Sequence, residues 1–144
     1  MSEVGSEAGR GLVGIVVVSH SRRLAEGVEE LARQMAGEEL ALEAVGGAPD
    51  GSIGTDADRI AAAIRRADRG AGVLVLGDLG SAILATETAI ELLGSSIRGP
   101  VVISAGPLVE GAVVAAVQAS IGQSLDEVRA AAEEARDLDK GVSR

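Results

Sequence analysis

The chain contains no cysteine, and none of its 144 residues is Phe, Tyr or Trp. Without thiols there is no disulfide, no thiolate metal site and no cysteine nucleophile, a usage that fits a reducing, cytoplasmic setting. Without aromatic rings the core has to be assembled from Val, Ile, Leu and Ala, which suits β-branched strands covered by Ala-rich helices. The same absence removes the stacking faces on which single-stranded nucleic acid binds. Positive charge is also scarce: 13 basic residues against 22 acidic ones give a net charge of −9, which repels a phosphate backbone. No apolar run approaches the roughly 20 residues of a membrane helix, and Met1 to Arg10 lack the basic start and apolar middle of a secretion signal. Neither a nucleic-acid nor a membrane partner is therefore expected. A hydrophobic fraction of 47% suits one compact domain, with boundaries at 12–138 between a disordered leader, 1–11, and a tail, 139–144.

What the chain does have is alternation between two periods. An apolar run at about 12–18 reads as a buried strand, and Leu24, Val28, Leu31, Ala32 and Met35 then recur at helical spacing over about 22–36. Glu39 to Val45 alternates polar and apolar residues, as a strand nearer the sheet edge does. A long, breaker-rich loop, Gly46 to Gly54, follows, and Thr55 is the expected N-cap of a helix with Ile60, Ala63, Ile64 and Ala67 facing inward. Gly72 to Gly77 is apolar throughout, the mark of a central strand covered on both faces. Further elements are expected as a helix at about 81–93, a short strand from Pro100 to Ile103, a helix from Leu108 to Ile121, and a Ser124-capped helix from Leu125 to Leu138. The fold class is α/β: a doubly wound, mostly parallel four-stranded sheet with helices on both faces. Its switch point, where ligands collect, falls between the first strand and, most simply, the third.

Those two strands end in Ser19-His20-Ser21 and Asp78-Leu79-Gly80-Ser81. His20 is the only histidine of the chain. A neutral imidazole is a competent nucleophile toward phosphorus near neutral pH. Asp78 is placed to accept the ring's other N–H and fix its tautomer, and Gly80 and Ser81 to offer N–H groups and a hydroxyl to phosphoryl oxygens. Ser19 and Thr55 are weaker phosphate-binding candidates, and no metal is required. Each residue also has a plainer reading: Asp78 and Ser81 as caps of the third helix, Thr55 as a turn residue, Glu29-Glu30 and Glu133-Glu134 as solvated helix faces. A phosphoacceptor receiver domain would need acidic residues after the first strand and a late lysine. Here that strand ends in Ser19-His20, and Lys140 in the tail is the only lysine. A hydrolase would need a GxSxG elbow and a late histidine, neither of which occurs.

Four segments in order carry a family resemblance over about residues 12–135: Val17 to Val28 with Ser19-His20-Ser21, Ile53-Gly54-Thr55-Asp56, Gly77-Asp78-Leu79-Gly80-Ser81-Ala82, and Gly106-Pro107-Leu108-Val109-Glu110-Gly111-Ala112. Together they resemble the phosphotransfer subunits of bacterial phosphoenolpyruvate-dependent dihydroxyacetone kinases, which have the mannose-type IIA fold of the phosphotransferase system. The resemblance implies that the phosphocarrier protein HPr phosphorylates His20. His20 in turn phosphorylates ADP held on the nucleotide-binding kinase subunit, so that no cofactor is bound by this chain itself. It further implies Asp78 as the acid that orients His20, Ser81 as the hydroxyl near the phosphoryl group, and a homodimer. Related alternatives are a sugar-specific mannose-type IIA component and a regulatory module switched by phosphorylation of His20.

Overall fold

The computed structural model describes residues 11–142, so the leader expected at 1–11 lies, apart from Gly11, outside the described residues. Strand β1 (Gly14–Ser19) leads to helix α1 (Arg22–Ala36), and β2 (Leu42–Gly46) to α2 (Ala57–Ala67). Then come β3 (Val73–Gly77), α3 (Gly80–Leu93), β4 (Val101–Ile103), α4 (Leu108–Ser120) and α5 (Leu125–Glu134). The four strands form one sheet in the order β2-β1-β3-β4, and every pairing is parallel. The chain thus runs outward from β1 on one side and from β3 on the other, which puts the switch point between them as expected.

Alternation along the strands divides the core into two layers. Ile15, Val17, Leu74 and Leu76 pack with Ala25, Val28 and Ala32 of α1, Ala112 to Ala119 of α4 and Val128 of α5. Val16, Val18, Val73 and Val75 pack on the opposite face with Ile60, Ala63 and Ile64 of α2 and Ala82 and Ala89 of α3. Each fully buried aliphatic side chain contributes about 1.5–3 kcal/mol, and the Ala-rich helix faces let helices lie close to the sheet without rings to fill the gap.

Three expectations shift in detail. Asp56, not Thr55, caps α2: its carboxylate accepts the Asp58 N–H at 3.2 Å, and Asp ranks with Ser and ahead of Thr as an N-cap because a charged acceptor also meets the positive end of the helix. Strand β2 begins at Leu42 rather than Glu39, because Leu40 and Ala41, although buried, precede its ladder with β1. Helix α5 ends at Glu134 and tightens into a 3₁₀ turn, Ala135–Asp137, before Leu138, a usual way for a last turn to satisfy its carbonyls. The Ser124 cap stands as read, completed into a capping box by Glu127.

The edge of the sheet away from His20 is tied by an acid that no motif marked. Asp68, 5% exposed, accepts N–H groups from Gly70 at 3.0 Å and Gly99 at 3.1 Å, as well as from Arg98. The Arg98 guanidinium donates to the Asp68 carbonyl at 3.0 Å. This cluster joins the approach to β3 to the approach to β4.

At the other edge Gly46 lies opposite Ser19, and a Cβ there would stand 2.5 Å from the Ser21 carbonyl oxygen and 2.7 Å from the Arg22 Cα. Those are backbone atoms with nowhere to move. Gly46→Ala is expected to cost about 1–3 kcal/mol through overpacking, read as a lower urea midpoint at unchanged slope. Gly27→Ala, inside α1 with nothing within 4 Å of the added methyl, is expected to raise stability by about 0.5–1 kcal/mol.

Candidate functional site

The β1–β3 register pairs Val18 with Gly77, and the Asp78 N–H continues the ladder to the Val18 carbonyl at 3.2 Å. Ser19 and Asp78 are thereby set side by side at the ends of adjacent central strands. Beyond Ser19 the chain turns at once into α1, whose N-cap Ser21 accepts the Leu24 N–H at 3.2 Å. Beyond Asp78 it turns into α3. His20 occupies the single position between the end of β1 and the cap of α1, so its ring is held at the mouth of the crevice.

Four donors meet on the Asp78 carboxylate. Its Oδ1 faces His20 Nδ1 at 2.9 Å and accepts the Leu79 N–H at 2.7 Å. Its Oδ2 accepts the Ser19 hydroxyl at 2.8 Å and the His20 backbone N–H at 3.0 Å. Burial on its own would raise the Asp78 pKa, but the bonds from His20, Ser19 and Leu79 outweigh it and hold the carboxyl below its ordinary value. An ionised carboxylate can only accept, so Nδ1 carries the ring proton and Nε2 presents a lone pair. That Nε2 faces the Ser81 hydroxyl, which sits in the first turn of α3. There Gly80 and Ser81 also carry N–H groups without intrahelical acceptors.

His20, Asp78, Gly80 and Ser81 are thus brought to one place, as their sequence positions indicated. Ser19 is at the site but differently employed: it is fully buried, donates to Asp78 and accepts the Ser21 N–H at 3.0 Å. The signal was available in the pattern, because Ser19 shares its face with the buried Ile15 and Val17, and a hydroxyl on such a face needs a partner. Thr55 is half-buried and stands one residue beyond Gly54, whose N–H bonds the His20 carbonyl at 3.0 Å. Thr55 does not line the recess of about 310 Å³ beside His20, which is formed with Arg22, Arg23 and the 51–53 loop. Arg98 is at the opposite edge on Asp68. Glu29 pairs with Arg33 along α1 and Glu133 with Arg129 along α5, and Glu133 also accepts the Ala105 N–H at 3.2 Å. Among the described residues no group of three or more His, Asp or Glu is placed to hold a metal ion, and no helix is long and apolar enough to cross a membrane.

Residues 14–129 match the family model of the phosphotransferase-system fructose IIA component, EIIA-man. Over 120 residues the chain is 46% identical to the phosphoryl donor subunit DhaM of the PEP-dependent dihydroxyacetone kinase of Escherichia coli strain K12, covering 81% of this chain and 25% of that protein. Over 117 residues it is 38% identical to the corresponding subunit of dihydroxyacetone kinase 2 of Listeria innocua serovar 6a, covering 81% of this chain and 94% of that one. The chain therefore spans a quarter of the Escherichia relative and nearly all of the Listeria one. The crystal structure of a protein of unknown function, 34% identical, superposes with a TM-score of 0.76 over 92% of this chain and 99% of that chain. With the parallel sheet in the order β2-β1-β3-β4 and these relatives, the chain belongs to the mannose-type IIA family of the phosphotransferase system, alongside the phosphoryl donor subunits of dihydroxyacetone kinase.

Proposed function

We propose that this chain is a cytoplasmic phosphohistidine carrier that takes a phosphoryl group from the phosphocarrier protein HPr on His20 and passes it to ADP held by the nucleotide-binding subunit of a dihydroxyacetone kinase. The observation that carries this reading is the 2.9 Å contact of His20 Nδ1 with Asp78, which leaves Nε2 as the nucleophile. The Nε2 lone pair attacks phosphorus on the donor's phosphohistidine while the donor N–P bond breaks and its electron pair returns to the donor imidazole. His20 keeps its Nδ1 proton throughout, and the Asp78 carboxylate faces the positive charge that forms on the ring. Discharge is the reverse displacement, with a terminal phosphate oxygen of ADP as the attacking atom. In this reading Ser81, whose hydroxyl faces Nε2, and the first N–H groups of α3 bind the phosphoryl oxygens. In this scheme the chain acts as the carrier subunit of a phosphoenolpyruvate–glycerone phosphotransferase and binds no cofactor of its own.

Two neighbouring readings, a sugar-specific IIA domain and a regulatory module switched by phosphorylation of His20, are tested alongside it. The name of the matching family, a fructose IIA component, favours a sugar-specific IIA domain that would donate to a IIB domain instead. A homodimer accords with the resemblance to mannose-type IIA components and with two further features, the exposed Leu84 and Leu92 of α3 and the open edge of the three-residue strand β4. Sedimentation at micromolar concentration is expected to give twice the chain mass.

Incubation with phosphoenolpyruvate, enzyme I and HPr is expected to place one acid-labile, alkali-stable phosphate on the chain. Persistence of that label in His20→Ala would sink the assignment. Delivery from the labelled protein to an ADP-loaded kinase subunit, and not to a IIB domain, separates the kinase reading from the sugar one. A pure regulator would support neither.

Asp78→Asn, which keeps shape but no longer enforces the Nδ1–H tautomer, is expected to slow labelling by about 10²-fold or more. The same residue makes a pH prediction. Its folded-state pKa lies below the unfolded value of about 3.9, so its contribution to stability is complete above that value and fades as pH falls toward the folded one. Denaturant unfolding between pH 6 and 3 should therefore show a shallower acid decline in Asp78→Asn than in the unmodified protein.

A further inference from the structure

Arg22 and Arg23 are at odds with their surroundings. They are the first two residues of α1, where the helix dipole favours anions and disfavours cations, and no acidic residue stands in that first turn to offset them. The other described cations are engaged. Arg33, Arg66, Arg129 and Lys140 pair with carboxylates, and Arg59, Arg65 and Arg98 donate to neighbouring oxygens. Arg69 donates to the Glu39 carbonyl, and Arg136 lies in the field of Glu133. Among the described residues Arg22 and Arg23 have no such bond, and both are exposed. In a chain of net charge −9, two unpaired guanidinium groups at the unfavourable end of a helix are a local cost without a structural return.

Their location supplies the return. With Ser21, Ser52, Ile53 and His20 they line the recess of about 310 Å³. Ser21 Oγ accepts the Leu24 N–H, which leaves its hydroxyl proton free to donate. Ser52 spends its own on Asp50 at 2.6 Å. Asp50 is the acid on the facing loop, and its carboxylate is turned into bonds with the Ser52 hydroxyl and N–H; Glu26 follows one turn along α1. The recess that His20 borders is therefore lined by two guanidinium-bearing side chains and one hydroxyl with a proton to donate. Guanidinium forks match the oxygens of phosphate better than any other side chain.

We propose that Arg22 and Arg23, with Ser21, form an oxyanion recess that holds the phosphate oxygens of the group exchanging a phosphoryl with His20. The inference rests on the carrier reading above and adds to it a place for the partner's phosphate. Phosphoryl transfer spreads negative charge over the equatorial oxygens of the moving group, and Asp78 brings negative charge to the far side of the ring. Guanidinium groups lining the recess beside His20 would offset both. The same oxygens can come from the incoming phosphohistidine of a protein donor or from the terminal phosphate of a nucleoside diphosphate acceptor.

The test measures the two half-reactions separately in the full chain, for Arg22→Gln, Arg23→Gln, the double Gln variant and the double Lys variant. Loading is the rate of His20 labelling by HPr, and discharge is the rate at which pre-labelled protein phosphorylates ADP on the kinase subunit. The double Gln variant is expected to fold, to melt no lower than the unmodified protein, to reach the same labelling end point, and to slow at least one half-reaction by about 10²-fold or more. The double Lys variant should recover part of that rate, since charge returns without the fork. A loss in loading alone assigns the recess to the donor's phosphoryl group, and a loss in discharge alone to the nucleoside diphosphate. A loss in both makes it common to the two. If both rates of the double Gln variant stay within about twofold of the original, the recess has no part in transfer, while the carrier reading stands. If the unmodified protein takes no label, that reading fails and the recess with it.

Discussion

Asp78 accepts hydrogen bonds from four directions, and the fold must place each donor before the carboxylate can be satisfied. The parallel β1–β3 register brings the Ser19 hydroxyl and the His20 N–H to one oxygen. The turn into α3 brings the Leu79 N–H to the other, and only then is the His20 ring held on the remaining lone pair. A slip of one residue between these strands would send Ser19 and Asp78 to opposite faces. The register is in turn specified by the two aliphatic layers, which assign Val16 and Val18 to one side and Ile15 and Val17 to the other. The chemistry of one imidazole nitrogen therefore depends on packing many residues away.

Polar anchoring is divided between the two edges of the sheet. Asp68 closes the edge at which β3 begins, gathering backbone N–H groups from Gly70, Arg98 and Gly99. Asp78 closes the edge at which β3 ends. Both acids act as acceptors for main-chain donors that strand ends leave unpaired, but only Asp78 also has a side chain with a free nitrogen beside it. In a core without aromatic rings, where helices approach the sheet on alanine and glycine, such fixed polar points take over part of the positioning that large side chains would otherwise provide.

Much of this was legible in the residues. The apolar run Gly72 to Gly77 read as a strand covered on both faces, and the helical spacing from Leu24 to Met35 placed a helix at about 22–36, where α1 lies. Their alternation made the sheet parallel, and that brought His20 and Asp78 together. What escaped was the orientation of hydroxyls and the choice among neighbouring caps. Ser19 looked like a phosphate ligand because of its place next to His20, yet strand parity turns it inward to Asp78. Thr55 and Asp56 are both good N-caps, and the turn geometry at Gly54 decides between them. Asp68 carried no motif, since a C-terminal helix residue becomes an anchor only through a loop 30 residues further on. The standing of Arg22 and Arg23 depended on what the other arginines do, which no spacing rule reveals.

The His20 ring is gripped on one side only. Nδ1 is sunk against a carboxylate that is itself 13% exposed, whereas Nε2 looks out beside an exposed serine. A phosphoryl group carried there would stand in contact with solvent as well as with partners, so water competes for it from the moment it arrives. On the carrier reading, the exposure of Nε2 puts the loaded group where a docking partner can reach it without the chain having to open.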